Sequence, residues 1–111
     1  MSERERRIGQ NEALFREVND RIERVTETLQ VATDSLQILC ECGNASCTEH
    51  ITVPVSEYER VRSDSELFFV RAGHELLDVE HVVEEHGEYD IVRKNPGDAA
   101  RIARELDPSD Q

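Results

Sequence analysis

Cys40-Glu41-Cys42-Gly43-Asn44-Ala45-Ser46-Cys47 is the stretch on which the fold turns, and it holds every cysteine of the chain. Before it, Leu36-Gln37-Ile38-Leu39 alternates apolar and polar as a half-buried strand does. After it, His50-Ile51-Thr52-Val53-Pro54-Val55 is β-branched, with Pro54 marking a strand end or edge. Two strands that bracket three cysteines predict a β-hairpin whose turn is a metal knuckle. Residues at i and i+2 of an extended segment share a face, so Cys40 and Cys42 can reach one ion. Gly43 and Asn44 supply the backbone freedom that brings Cys47 back to them.

Three thiolates leave one corner of a tetrahedral zinc site open, and with no fourth cysteine an imidazole is the natural donor. The chain offers His50, His74, His81 and His86. His50 follows Cys47 closely enough to close the site locally. His74 stands behind Gly73 in a predicted loop, and a ligand so distant in sequence would tie two halves of the domain together at little extra loop entropy. His81 falls in a valine-rich element and His86 at a predicted turn. On the residues alone His74 ranks first, His50 second, and the other two stay open. The same four donors could hold an iron–sulfur cluster, although the cysteine spacing matches no ferredoxin arrangement. A metal-free trio, or a redox pair with a spare thiol, is the bland alternative.

A chain of 111 residues gives one thinly buried domain, for which an extra staple is useful. Aromatics are limited to Phe15, Phe68, Phe69, Tyr58 and Tyr89, so the core must rest on Val, Ile and Leu. The net charge is −12. Residues 1–33 carry seven acidic and six basic residues, and residues 34–111 carry eighteen and seven, so the field is concentrated on the cysteine-bearing part. Such a surface repels a phosphate backbone and argues against nucleic acid as a partner. Lys94 is the only lysine beside twelve arginines, a bias of GC-rich bacterial genomes. No apolar run reaches the roughly 18–20 residues of a membrane span, and the polar start Met1–Arg7 has no apolar signal core behind it. The expected location is the cytoplasm, where thiols stay reduced for metal, and an odd cysteine count fits that.

Outward from the knuckle, Ile8, Asn11, Phe15, Val18, Ile22, Val25, Leu29 and Ala32 repeat with alternating steps of three and four, a heptad seam with one polar break. This predicts a long helix packed on its own domain, or one that pairs with a second copy or another partner. Ser56-Glu57-Tyr58-Glu59 has the form of a capping box and predicts a helix over 57–62. Leu67–Val70 reads as a strand. Residues 79–86 are ambiguous between helix and strand, with a β-hairpin through His86-Gly87-Glu88 into Tyr89–Lys94 preferred. Asp98–Leu106 reads as a helix. The expected organisation is a flexible N-terminus (1–9), an amphipathic helix (10–33), a zinc-stapled α+β domain (34–106) and a flexible tail (107–111). The expected fold class is α+β: a long N-terminal helix on a small antiparallel sheet, with a zinc knuckle at one end and short helices.

Taken together, Leu39-Cys40-Glu41-Cys42-Gly43, Cys47-Thr48-Glu49, Ile51, Glu57-Tyr58-Glu59, Val61-Arg62, Phe69-Val70, Gly73-His74, Val82-Val83 and Val92 resemble a family of small uncharacterised actinobacterial proteins. Their N-terminal helix is similar to Asn11–Asn19, and the resemblance covers most of residues 11–94. It implies a Cys-x-Cys-x4-Cys plus Gly-His site, here Cys40, Cys42, Cys47 and His74, and implies no activity. A proline usually precedes the Gly-His pair in that family, where this chain has Ala72.

Catalytic motifs are missing. There is no His-Glu-x-x-His, no phosphate-cradling glycine loop and no Gly-x-Ser-x-Gly. Cys40-Glu41-Cys42 matches neither half of the base-deaminase zinc signature. Glu84-Glu85-His86 reads as a solvated turn. The expectation is a non-enzymatic regulatory or adaptor module, acting through contacts with a protein partner or through a homodimer of the N-terminal helix. The alternative is a thiolate-based redox or metal-responsive switch.

Overall fold

A computed structural model describes residues 3–28, 34–44 and 46–106. The order of elements is α1 (Glu3–Thr28), β1 (Ser35–Leu39), β2 (His50–Pro54), α2 (Val55–Arg62), β3 (Leu67–Arg71), β4 (Glu80–Glu85), β5 (Tyr89–Lys94) and α3 (Asp98–Glu105). The fold is α+β, as the pattern of elements predicts. Its strands form two sheets rather than one. β1 and β2 make an antiparallel hairpin, from Ser35 opposite Pro54 to Leu39 opposite His50. The other sheet has the order β3-β5-β4, also antiparallel. The ambiguous stretch is therefore the β4–β5 hairpin, irregular between Val82 and Glu84. No helix among the described residues is long and apolar enough to cross a membrane.

The core lies between the two sheets and α2. Ile38 and Val53 of the hairpin, Tyr58 and Val61 of α2, and Phe68, Phe69, Ile91 and Val92 of the larger sheet are fully buried. Tyr58 stacks on Phe69 with ring centroids 5.7 Å apart. Buried aromatic and branched side chains contribute about 1.5–3 kcal/mol each, so this cluster carries most of the apolar driving force.

α2 corrects the capping-box expectation. It starts at Val55, two residues earlier than Ser56 as cap would allow, with Pro54 at the N-cap and no side-chain cap bond. The fixed φ of Pro54, −61°, suits the extended cap conformation. The backbone carbonyl of Asp34 takes the Val55 N–H at 2.9 Å, so a tertiary contact replaces the local cap.

α1 departs furthest from its pattern. It begins at Glu3, inside the stretch expected to be flexible, and Leu29 and Ala32 of the seam lie outside the described residues, as does the tail 107–111. Its buried face shares only Ile8 with the heptad seam. Ile8, Glu12, Ala13, Arg16 and Asn19 are buried, whereas Val25 is 56 % exposed and Leu14 57 %. The buried row is turned roughly a third of a revolution from the seam. The reason is what it packs on. Arg16 donates to the carbonyls of Ser65 and Ala103, both at 2.8 Å, and its guanidinium sits 4.9 Å from the Phe68 ring centre. Loop and helix-end carbonyls must be satisfied when buried, and an apolar stripe cannot do that.

Beside Arg16, Lys94 on β5 is ion-paired with both Glu12 of α1 and Glu80 of β4. All three side chains are sealed from solvent. Burial holds the Glu12 carboxyl well above the usual carboxylate range, against the opposing pull of Lys94, and one of its oxygens has no partner. A carboxyl raised in the folded state contributes stability at low pH that is lost as pH rises through the raised value. Urea unfolding should show that loss in the wild-type chain and a flatter pH profile in Glu12→Gln. Lys94→Met, which strands two buried carboxylates, should cost about 3–5 kcal/mol; a cost under about 1 kcal/mol would show that the triad is not buried as described.

Candidate metal centre

The site forms where the two sheets meet. Leaving β1, residues 40–42 run along the open edge of β3, where the Glu41 N–H donates to the Phe69 carbonyl at 2.7 Å. The Arg71 N–H donates to Cys40 Sγ at 3.3 Å. Cys40 N–H reaches the Glu49 carbonyl at 3.0 Å and closes the loop at its base. At the tip, Cys47 N–H bonds the Asn44 carbonyl at 3.0 Å, and Ser46 N–H bonds Asn44 Oδ1 at 2.9 Å. These turns carry Cys47 back over Cys40 and Cys42.

His74 arrives from the other sheet. Its N–H donates to the Arg71 carbonyl at 2.9 Å, closing a tight turn after β3. Gly73 sits in this turn at φ +91°, a conformation that a side chain rarely adopts. His74 Nδ1 then lies 3.5 Å from Cys40 Sγ and 3.7 Å from Cys47 Sγ. The four donor atoms of Cys40, Cys42, Cys47 and His74 all fall within 4.8 Å of one another. Zinc bonds of about 2.3 Å to sulfur and 2.0–2.1 Å to nitrogen give a tetrahedral sulfur–nitrogen edge of about 3.6 Å. These two separations match it, and all four donors are close enough together to hold one ion.

The thiols divide their charge unequally. A hydrogen bond from Cys40 is the largest influence on Cys42, whose thiol is lowered to about 5. Cys40 is pushed up, first by that same bond and then by burial. Cys47 is pushed up mainly by burial. One thiolate is thus ready at neutral pH, and two protons must leave when a metal enters.

The other histidines are placed elsewhere. His50 opens β2 on an exposed face and has no part in the cluster. His81 Nδ1 lies 2.7 Å from Asn95 Oδ1. His86 stacks on Tyr89 at 4.8 Å and contacts Glu84 at 3.0 Å. Glu57, Glu84 and His86 form a second group with metal-compatible spacing. Arg60 already pairs with both of its carboxylates and holds Glu84 low, so this group is a matched surface ion network.

The sequence reading passed over the residues that hold the knuckle in place. Glu41, between the first two cysteines, is fully buried. One carboxylate oxygen accepts from Phe69 N–H at 3.0 Å and Arg62 at 2.6 Å, and the other from Asn19 at 2.7 Å. Asn19 also bonds both backbone groups of Leu39, donating at 2.9 Å and accepting at 2.8 Å. Strand alternation held the signal for Glu41: if Cys40 and Cys42 share one face, the residue between them faces the other way.

Metal content by elemental analysis should follow this geometry. His74→Ala should weaken binding by more than the roughly 10–100-fold that a change outside the ligand shell costs, and His50→Ala should bind as the wild type does. Affinity should rise with pH as Cys40 and Cys47 lose their protons; a pH-independent affinity would contradict the assignment of those two thiols. No family model, no curated protein and no solved structure matches the chain.

Proposed function

We propose that this chain is a small, non-enzymatic zinc-binding protein, a regulatory or adaptor module that works through protein–protein contacts in the bacterial cytoplasm. The observation that carries the reading is the closed donor set of Cys40, Cys42, Cys47 and His74. Four protein donors leave no corner for a water or a substrate, whereas catalytic zinc keeps one open. Three thiolates also load the ion with negative charge and weaken it as a Lewis acid. Soft thiolates with one imidazole suit zinc over the harder divalent ions. When bound, the ion supplies a crosslink between the hairpin and the larger sheet.

The contact surface in this reading is the outer side of α1. Leu14, Val25 and Leu106 at the end of α3 are each about half exposed or more. Leu14 and Leu106 border a groove of about 400 Å³ that also includes Glu17, Arg24 and Glu105. A protein partner with an apolar ridge fits it, and a second copy paired through α1 is the homodimeric form of the same contact.

The second reading, a thiolate redox or metal-responsive switch, is favoured by access. Cys47 is only half-buried, and a cavity of about 260 Å³ opens beside Cys42, Gly43 and His74. Oxidised thiolates release zinc and lose the crosslink.

Purified reduced protein should carry about one zinc per chain, and a strong chelator should lower its melting temperature by several degrees. Leu14→Glu with Val25→Glu should keep the zinc and lose the captured partner or the dimer in crosslinking and sedimentation. Equal capture by both proteins would refute the α1 surface. Zinc release by mild peroxide would move the assignment to the switch.

A further inference from the structure

Two of the four donors, Cys40 and Cys42, lie in the segment 39–43, and α1 grips that segment at both ends. At the near end, Asn19 spends its whole amide on Leu39 and Glu41: both backbone groups of Leu39 and one oxygen of the Glu41 carboxylate. At the far end, Asn11 donates to the Gly43 carbonyl at 3.0 Å. At the same end Ile8 packs so closely on Gly43 that a Cβ there would stand 2.6 Å from its Cγ2. Asn11 and Asn19 are eight residues apart on one helix, about 12 Å along its axis. Segment 39–43 thus rests on α1 as on a splint.

We propose that α1 is the outer shell of the metal centre, so that helix docking and metal binding are one coupled equilibrium. This inference rests on the zinc reading above and adds its regulation. Groups beyond the donors orient ligands and tune metal affinity; here they sit on a separate helix. With the ion bound, Cys40 and Cys42 are fixed and Leu39–Gly43 presents Asn19 and Asn11 with a ready surface. Without it, the segment loses its crosslink to His74, and the bonds to both asparagines compete with water. Coupling is reciprocal by thermodynamic necessity: whatever factor the metal contributes to docking, docking contributes to metal affinity. Release of α1 uncovers its polar inner face and the Lys94 pocket that Glu12 closes, a surface that the metal-loaded protein does not show.

The chain carries its own reporter. Lys94 is the only lysine, and its ammonium is sealed under α1. Acylation of Lys94, followed by mass spectrometry that separates it from the N-terminal amine, reads undocking directly. Hydrogen exchange on the full-length protein reads the rest. Removing zinc with a chelator should raise the Lys94 acylation rate at least about tenfold. It should also strip protection from α1 amides over residues 8–20 while Phe68 and Val92, paired with each other inside the larger sheet, keep theirs. Conversely, Asn11→Ala and Ile8→Ala, which lie on α1 and leave the knuckle sequence intact, should each weaken zinc about tenfold or more in competition with a chromophoric chelator.

Three results overturn the coupling: zinc leaves and the Lys94 rate does not change; α1 and the β3–β5 amides lose protection together; or both variants bind zinc as the wild type does. If a variant fails to fold by circular dichroism, the chelation arm on the wild-type protein decides alone. A protein that binds no zinc in any form refutes the metal reading itself, and this inference with it.

Discussion

The Glu41 carboxylate is sealed in the interior, and the construction of the site follows from the need to satisfy it. A buried carboxylate without partners costs several kcal/mol, and its effective penalty is offset only when a cation and further donors surround it. Glu41 receives Arg62 from α2, the Phe69 N–H from β3 and Asn19 from α1. Three separate elements converge on one side chain. Arg62 in turn lies over the rings of Tyr58 and Phe69, 5.3 and 5.5 Å from their centres, so its remaining donors face aromatic surface rather than water. Because Glu41 points inward, its two neighbours are held with their sulfurs turned together toward His74. The same alternation that buries a charge assembles a ligand set.

That arrangement explains why the helix most clearly patterned for apolar packing buries polar atoms instead. A heptad seam reports how a helix meets another smooth apolar surface. α1 meets a strand edge, a turn and a helix end, all of which present unpaired backbone. Asn19, Arg16 and Asn11 are donors matched to those groups. Hydrophobicity pointed to the seam, because most of the row that is buried is polar. What the row of Phe15, Val18 and Ile22 does instead is flank the buried face, partly covered. Its outer margin at Val25 is exposed.

Local features were legible wherever a local rule decided them. The β1–β2 hairpin, the β4–β5 hairpin and α3 followed from alternation, turn residues and punctuation, because each closes within a few residues. The gathering of three thiols and one imidazole was legible for a related reason: only certain side chains bind a soft ion, and only four histidines competed. His74 prevails over His50 because Gly73 permits a turn that re-aims the chain after β3, whereas His50 is committed to the first pair of a strand ladder. The division into two sheets, and the burial of Glu12, Lys94 and Glu80 as a triad, depend on contacts between residues up to about eighty positions apart. No window of sequence holds that information.

A small domain can meet its shortage of core in two ways, by a metal crosslink or by buried polar networks that specify one arrangement. This chain builds the second and gathers the donors for the first, in series. The ion would join the hairpin to the sheet; Glu41 joins the hairpin to α2 and α1; Lys94 joins α1 to the sheet. Ion networks of this kind contribute little net stability compared with apolar packing of equal volume, but breaking one member strands the others. The consequence is an all-or-none character disproportionate to the size of the core.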